Sequence, residues 1–498
     1  MRNITILLSF AAATLAATPA LAQDTTLAAR IQRVENGLLP PIVVAGRADQ
    51  GAPITERMRA GNTPAVSIAV VNHGRIEWAR AYGTLTAGGP VAVDTGSLFQ
   101  AASISKPVAV LGALLLAQQR GLSLDADVNT YLRSWKVPEN AFTANEKVTL
   151  RRIVSHSAGL TVHGFPGYAA DSVIPTTVQV LDGLRPANTA AVRVDTFPGA
   201  LMRYSGGGLT AMQQMLVDVT GRPFPGFMQQ TVLGPLGMIH SSYDYDVTPE
   251  RAARVARAHD RQGAPIAGGW HRYPEMAAAG LWTTPSDLAR FALAVYRAYH
   301  GEAGGLVSPA LARQMLTQQS GENGDGFGLG FALSQMGTPA GWFGHSGSNE
   351  GYRAQLVMFA ETGQGVVVMT NSDAGNDVMY ELLRSVAREY GWPAFQPVEK
   401  TAVALDPAAL RDAPGRYEGT LQGQPARYTV QAVDGSLVLV NPNWPAPRTL
   451  YPASTTELRF FIRESPREYT FERDASGRVA RIRVTGGGAP DLVAERVD

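Results

Sequence analysis

Cysteine is absent from this 498-residue chain. Disulfides and a lipid anchor on an N-terminal cysteine are therefore excluded, and packing alone must hold the fold. Lysine is nearly absent: Lys106, Lys136, Lys147 and Lys400 are the four among 43 basic residues. A surplus of either charge is missing too. The formal net charge is +1 and no dense basic run occurs, which argues against nucleic acid or an anionic membrane surface as partner. Apolar runs long enough to span a membrane comfortably are missing, and the run Ile4–Ala17 near the start is too short for one. With Arg2 before it and Ala20-Leu21-Ala22 after it, that run reads as a secretory signal peptide over residues 1–22. The expected location is outside the cytoplasm, in a compartment such as a bacterial periplasm. No Gly-rich phosphate loop ending in Lys-Ser or Lys-Thr is present. The eight histidines show no His-Glu-x-x-His and no clustered ligand spacing, so neither a cofactor nor a metal is expected.

What the chain does have is 45% hydrophobic and 17% charged residues, an ordinary globular balance at a length suited to two or more domains. Ala65–Val71, a turn at Asn72-His73-Gly74, and Ile76, Trp78 and Tyr82 on the return predict a β-hairpin. From Ser103 to about Arg120 the pattern becomes a strongly apolar helix closed by Gly121. Residues 122–330 carry helix signals between Pro/Gly-rich loops, with Thr284-Pro285 and Ser308-Pro309 as caps. Strands return at 352–359 and 365–370, and Val378, Leu382 and Val386 recur at helical spacing. The expected fold is α/β (α+β): one antiparallel sheet from both ends of the domain, flanked by helices, with a mostly helical region inserted. After a proline-punctuated link over 397–412, residues 413–498 read as short strands with turns at Asp434-Gly435 and Ser476-Gly477. That texture predicts a small β-barrel or sandwich.

One lysine is placed for chemistry. Ser103 and Lys106 stand three apart at the start of the apolar helix, so hydroxyl and amine lie on one face. A serine is a poor nucleophile until a neighbour takes its proton. Burial lowers an ammonium pKa, so a lysine there can be neutral, whereas an arginine effectively cannot. The pair alone is a weak signal, since with four lysines it arises by chance in about one sequence in five. Two further stretches strengthen it. Tyr204-Ser205-Gly206 lies in a Gly-rich break before the helix-like Leu209–Val219, where a phenol can share a proton with Lys106. Gly344-His345-Ser346-Gly347-Ser348 opens the C-terminal strands, where backbone N–H groups can meet a substrate carbonyl.

With these three stretches the chain resembles the β-lactamase-like serine hydrolases: class C β-lactamases, D-alanyl-D-alanine carboxypeptidases, D-aminopeptidases and β-lactamase-like carboxylesterases. Their marks are Ser-x-x-Lys, Tyr-x-Asn, and Lys-Thr-Gly or a His-x-Gly variant. Leu150–Leu160, Pro235–Met238 and Gly280–Leu288 also look familial. The likeness spans roughly residues 50–390 and implies a hydrolase domain over 23–396 with a lipocalin-like appendix over 413–498. It implies Ser103 as nucleophile, Lys106 as its activating partner and Tyr204 as second proton-transfer residue. The N–H groups of Ser103 and Ser348 would form the oxyanion hole, with His345 and Gly347 beside the substrate. Two departures matter. Gly206 stands where asparagine is frequent, and His345 where a β-lactamase usually has lysine. A histidine is a poorer fixed anchor for a carboxylate, so the substrates expected are small esters, amides or D-amino-acid peptides. Arg353 reads as an exposed hairpin arginine, with a carboxylate anchor as the alternative.

Other readings stay open. Ser346 lies in a near Gly-x-Ser-x-Gly pattern, but an elbow needs a helix after it and a strand follows. His156 reads as a hydrogen-bonded structural residue before it reads as a base. A Ser-His-Asp esterase and a non-catalytic peptidoglycan- or peptide-binding protein are the rival functions.

Overall fold

The computed structural model describes residues 26–498 except 49, 422 and 445. The leader expected over 1–22 lies outside the described residues. The core of the larger domain is an eight-stranded antiparallel sheet. Its spatial order is 75–83, 65–72, 365–370, 352–359, 342–349, 332–334, 325–327 and 320–322. The two ends of the domain thus meet at the centre, where 365–370 pairs with 65–72.

The hairpin turn at 73–74 has φ of +49° at His73 and +66° at Gly74, the twist that a two-residue connection between right-twisted strands requires. Every residue of Ala65–Asn72 is buried. Successive side chains point to opposite faces, so such a strand must be covered on both sides. Val66, Ile68 and Val70 pack towards the layer that contains helices Leu27–Asn36 and Asn376–Glu389. Ala65 and Ala69 face the inserted helical region, with helices Ser105–Arg120 and Pro285–Tyr299. The expected caps form: Thr284 and Ser308 side chains accept from the N–H groups of Asp287 and Leu311. Gly121, at φ +65°, closes the apolar helix. Among the described residues no helix is long and apolar enough to cross a membrane.

Eight strands between Gly415 and Arg496 close into a barrel, each pairing antiparallel with the next and the last with the first. Closure removes the exposed edges that an open sheet would leave. Within the connecting segment Val398–Lys400 is itself a strand, running parallel to Ile42–Val44. Lys400 reaches Glu468 of the barrel at 2.8 Å, and the Ile42 N–H donates to the Arg463 carbonyl. The seam between the domains is therefore stitched by backbone and side-chain bonds.

Candidate active site

Ser103 sits in a single turn, Ala102–Ile104, just before the helix Ser105–Arg120. Ala102 has φ +49°, a left-handed conformation that alanine adopts only at a cost. That turn lifts one side chain out of the core: from Gly96 to Leu114, Ser103 is the single residue that is not buried.

Lys106 lies one helical step away and is 3% exposed. Its amine donates to Ser103 Oγ at 2.9 Å and to the carbonyl of Ala278 at 2.7 Å. Among the described residues no carboxylate faces it, and burial alone lowers its pKa to about 7. The amine is held against the face of the Tyr204 ring, 4.9 Å from the centroid.

The Tyr204 phenol is hydrogen-bonded to Ser103, which opposes the larger effect of burial; the balance pushes its pKa upward. On its other side stands His345 Nε2 at 3.5 Å. His345 Nδ1 must donate to the Ser346 carbonyl at 2.6 Å, since a carbonyl only accepts. In the neutral ring this leaves Nε2 as a lone pair towards the phenol. Burial first, then the Lys106 charge, lowers the His345 pKa to about 3. His345 is therefore an uncharged acceptor at neutral pH and no cationic anchor.

The strand Trp342–Asn349 carries His345, Gly347 and Ser348 past the nucleophile. Its pairing with Ala332–Ser334 ends at Gly344, while its other edge stays paired through Asn349 to 352–359. Beyond Gly344 one edge is thus free of a neighbouring strand. A Cβ at Gly347 would stand 2.3 Å from the Ala101 carbonyl, so only glycine allows the strand this close to the serine turn. Asn349 fixes the strand end by donating to Gln100 Oε1 and to the Ala279 carbonyl.

The structure gathers Ser103, Lys106, Tyr204 and His345 by direct contact, and brings Gly347 and its neighbour Ser348 to their edge. It also gives reasons for residues that pattern alone left open. His156 is buried, lies against Tyr204 with ring centroids 4.3 Å apart and planes tilted by 34°, and accepts the Ser205 N–H at Nδ1. Burial and the Lys106 charge hold its pKa well below normal. It is structural, yet it is structural for the phenol. Gly206 has no room for asparagine: a Cβ there would meet the Phe165 ring at 2.9 Å and the His163 carbonyl at 3.1 Å. The segment 161–163 instead caps the helix Gly206–Thr220, its Val162 and His163 carbonyls accepting from Gly207 and Gly206. Arg353 is neither exposed nor available, since Asp373 holds it at 2.8 Å. Ala278 carried no readable signal, because it acts through a backbone carbonyl. No histidine ring among the described residues bonds the Ser346 hydroxyl.

A profile of the Beta-lactamase family matches residues 52–389. Protein flp of Staphylococcus aureus is 24% identical over 342 residues, 64% of this chain and 61% of that protein, so the match spans about three fifths of its length. Esterase EstB of Burkholderia gladioli is 27% identical over 305 residues, 54% of this chain and 75% of that one. The solved octameric penicillin-binding protein homologue from Pyrococcus abyssi superposes with a TM-score of 0.59 at 21% identity. That likeness covers 88% of this chain and 98% of the other, and shows the fold. With the profile running from before the first strand of the eight-stranded sheet to the end of helix Asn376–Glu389, the chain belongs to the Beta-lactamase family of serine hydrolases.

Proposed function

We propose that the protein is an exported serine hydrolase working by acyl transfer on small esters, amides or D-amino-acid peptides, without a cofactor. The observation that carries this reading is the Lys106 amine, buried with no carboxylate against it among the described residues and 2.9 Å from Ser103 Oγ. Near neutral pH a large fraction of it is neutral and able to accept a proton. The Tyr204 phenol, pushed up by burial, keeps its own proton there and serves as a donor. Ser103 Oγ then attacks the substrate carbonyl carbon as its proton passes to Lys106 Nζ. The carbonyl oxygen gains charge beside the N–H groups of Ser103 and Ser348. Lys106, through Tyr204, returns the proton to the leaving group as the acyl bond breaks. Water repeats the sequence on the acyl-enzyme, releasing the acid and restoring Ser103. The neutral His345 acceptor and the filled position beside Gly206 argue against a site built for a charged β-lactam, and the name of EstB favours esters. The apolar leader Ile4–Ala17 supports export.

Intact-mass analysis after treatment with a fluorophosphonate tests the reading. One adduct, mapped to Ser103 and lost in Ser103→Ala together with hydrolysis of p-nitrophenyl acetate, is the expected result. Labelling of Ser346, or full ester activity in Ser103→Ala, would overturn it in favour of a different serine. No label and no turnover would favour a binding protein.

A further inference from the structure

Two neighbouring cavities lie beyond Ser348, and the second reaches the barrel. A cavity of about 270 Å³ next to Ser348 and Asn349 is walled by Phe165, Tyr273 and Arg261. A second cavity, about 520 Å³, opens between this domain and the barrel. The two share Arg261 and Asp373. The larger lies in the size range of ligand sites, which favour domain boundaries. Its barrel side presents Tyr428, Trp444 and Tyr469.

The arginines around this path are not equivalent. Arg353 is held by Asp373, and Arg448 faces Asp377 at 3.6 Å while lying over the Trp444 ring. Arg467 donates to the carbonyls of Val484 and Pro490. Arg261 has no side-chain hydrogen bond or ion pair among the described residues, and it stands where the two cavities join. On the barrel side Glu464 Oε2 and Arg467 Nε are buried without partners, so the groove offers further polar atoms to an occupant. The walls are set by the seam described above, with Arg463 also donating to the Gln50 carbonyl.

We propose that the groove is a substrate subsite for an extended peptide with a free carboxylate. Its reacting carbonyl lies at Ser103, its chain passes Ser348, its carboxylate pairs with the Arg261 guanidinium, and its far end rests on the aromatic wall of the barrel. The guanidinium offers two parallel N–H donors that match a carboxylate. This deepens the reading above by naming the barrel as part of the substrate site.

The test reads binding and needs no turnover. Full-length Ser103→Ala is titrated calorimetrically with the tripeptide of D-alanine, D-alanine and D-phenylalanine, as the free acid and as its C-terminal amide. The acid is expected to bind about tenfold tighter. Adding Arg261→Gln should erase that difference, and adding Trp444→Ala should weaken both ligands severalfold. Equal affinities, a difference that survives Arg261→Gln, or no binding of either peptide would overturn the proposal. Failure here with the Ser103 adduct intact removes the subsite alone, whereas loss of the adduct removes the hydrolase reading itself.

Discussion

Lys106 and Lys400 are two of four lysines, and each places its amine against an aromatic ring, 4.9 Å from Tyr204 and 5.5 Å from Phe461. Lys400, on the seam, also has the carboxylate of Glu468 at 2.8 Å and a side chain that is 25% exposed. Lys106 has a hydroxyl, a carbonyl and no water-facing surface to speak of. The first environment is suited to holding a charge, the second to giving one up. Burial without a counter-charge is what separates a lysine suited to joining two domains from one able to give up a proton.

Removing the proposed proton acceptor should break this contrast most. Lys106→Arg keeps a long cation but cannot be neutral, and kcat/KM for a short nitrophenyl ester is expected to fall by about a thousandfold or more. Tyr204→Phe, which keeps the ring under the amine and removes only the hydroxyl, should cost about a hundredfold or more. Steady-state kinetics check both, and retention of activity within tenfold in Lys106→Arg would end the assignment.

A second contrast is visible in pH. The folded pKa of Lys106, about 7, lies below the unfolded value of about 10.4. Between those values the unfolded chain binds more protons, so this residue makes stability rise with pH; below about 7 the folded state bears the whole cost of a buried ammonium. Lys106→Met should therefore melt at a higher temperature than the parent at pH 6, with a gain that shrinks by pH 10. Hydrolysis by the parent should rise through one ionisation near pH 7 and level off above it. Thermal melts and a kcat/KM profile at matched ionic strength measure the two effects, and a melting gain that grows with pH would contradict the burial argument.

The smallest effect belongs to the seam. Glu468→Gln removes the carboxylate that pairs with Lys400 at 2.8 Å and with Arg459 at 3.8 Å, both part-exposed contacts of a kind that contribute under about 1 kcal/mol. Chemical denaturation should move by no more than that, and ester turnover should change less than twofold. A large loss of activity would mean that the seam governs the cleft geometry more strongly than these two part-exposed contacts suggest.

Much of the fold was legible because local rules and packing agree. The 72–75 turn, the Thr284 and Ser308 caps, Gly121 and the helix through Val378, Leu382 and Val386 each satisfy a backbone requirement written within a few residues. Ser103, Lys106, Tyr204 and the 344–348 stretch were readable from residue type and spacing. Harder were the groups whose role depends on chain segments far apart. The Ala278 carbonyl meets Lys106 across 172 residues. The Phe165 ring fills the space beside Gly206, and Asp373 captures Arg353. His156 looked structural by residue type, and only its ring contact with Tyr204 shows what it supports.

The sequence by itself determined the periodicities, the turns and the scarcity that singles out Lys106, because these depend on φ, ψ and side-chain type within a few residues. Tertiary structure decided which lysine is dry, which tautomer His345 presents, and that two cavities sharing Arg261 and Asp373 lie between Ser348 and the barrel. Solvent exclusion and electrostatics depend on everything that packs around a group, and no short stretch of chain contains that information.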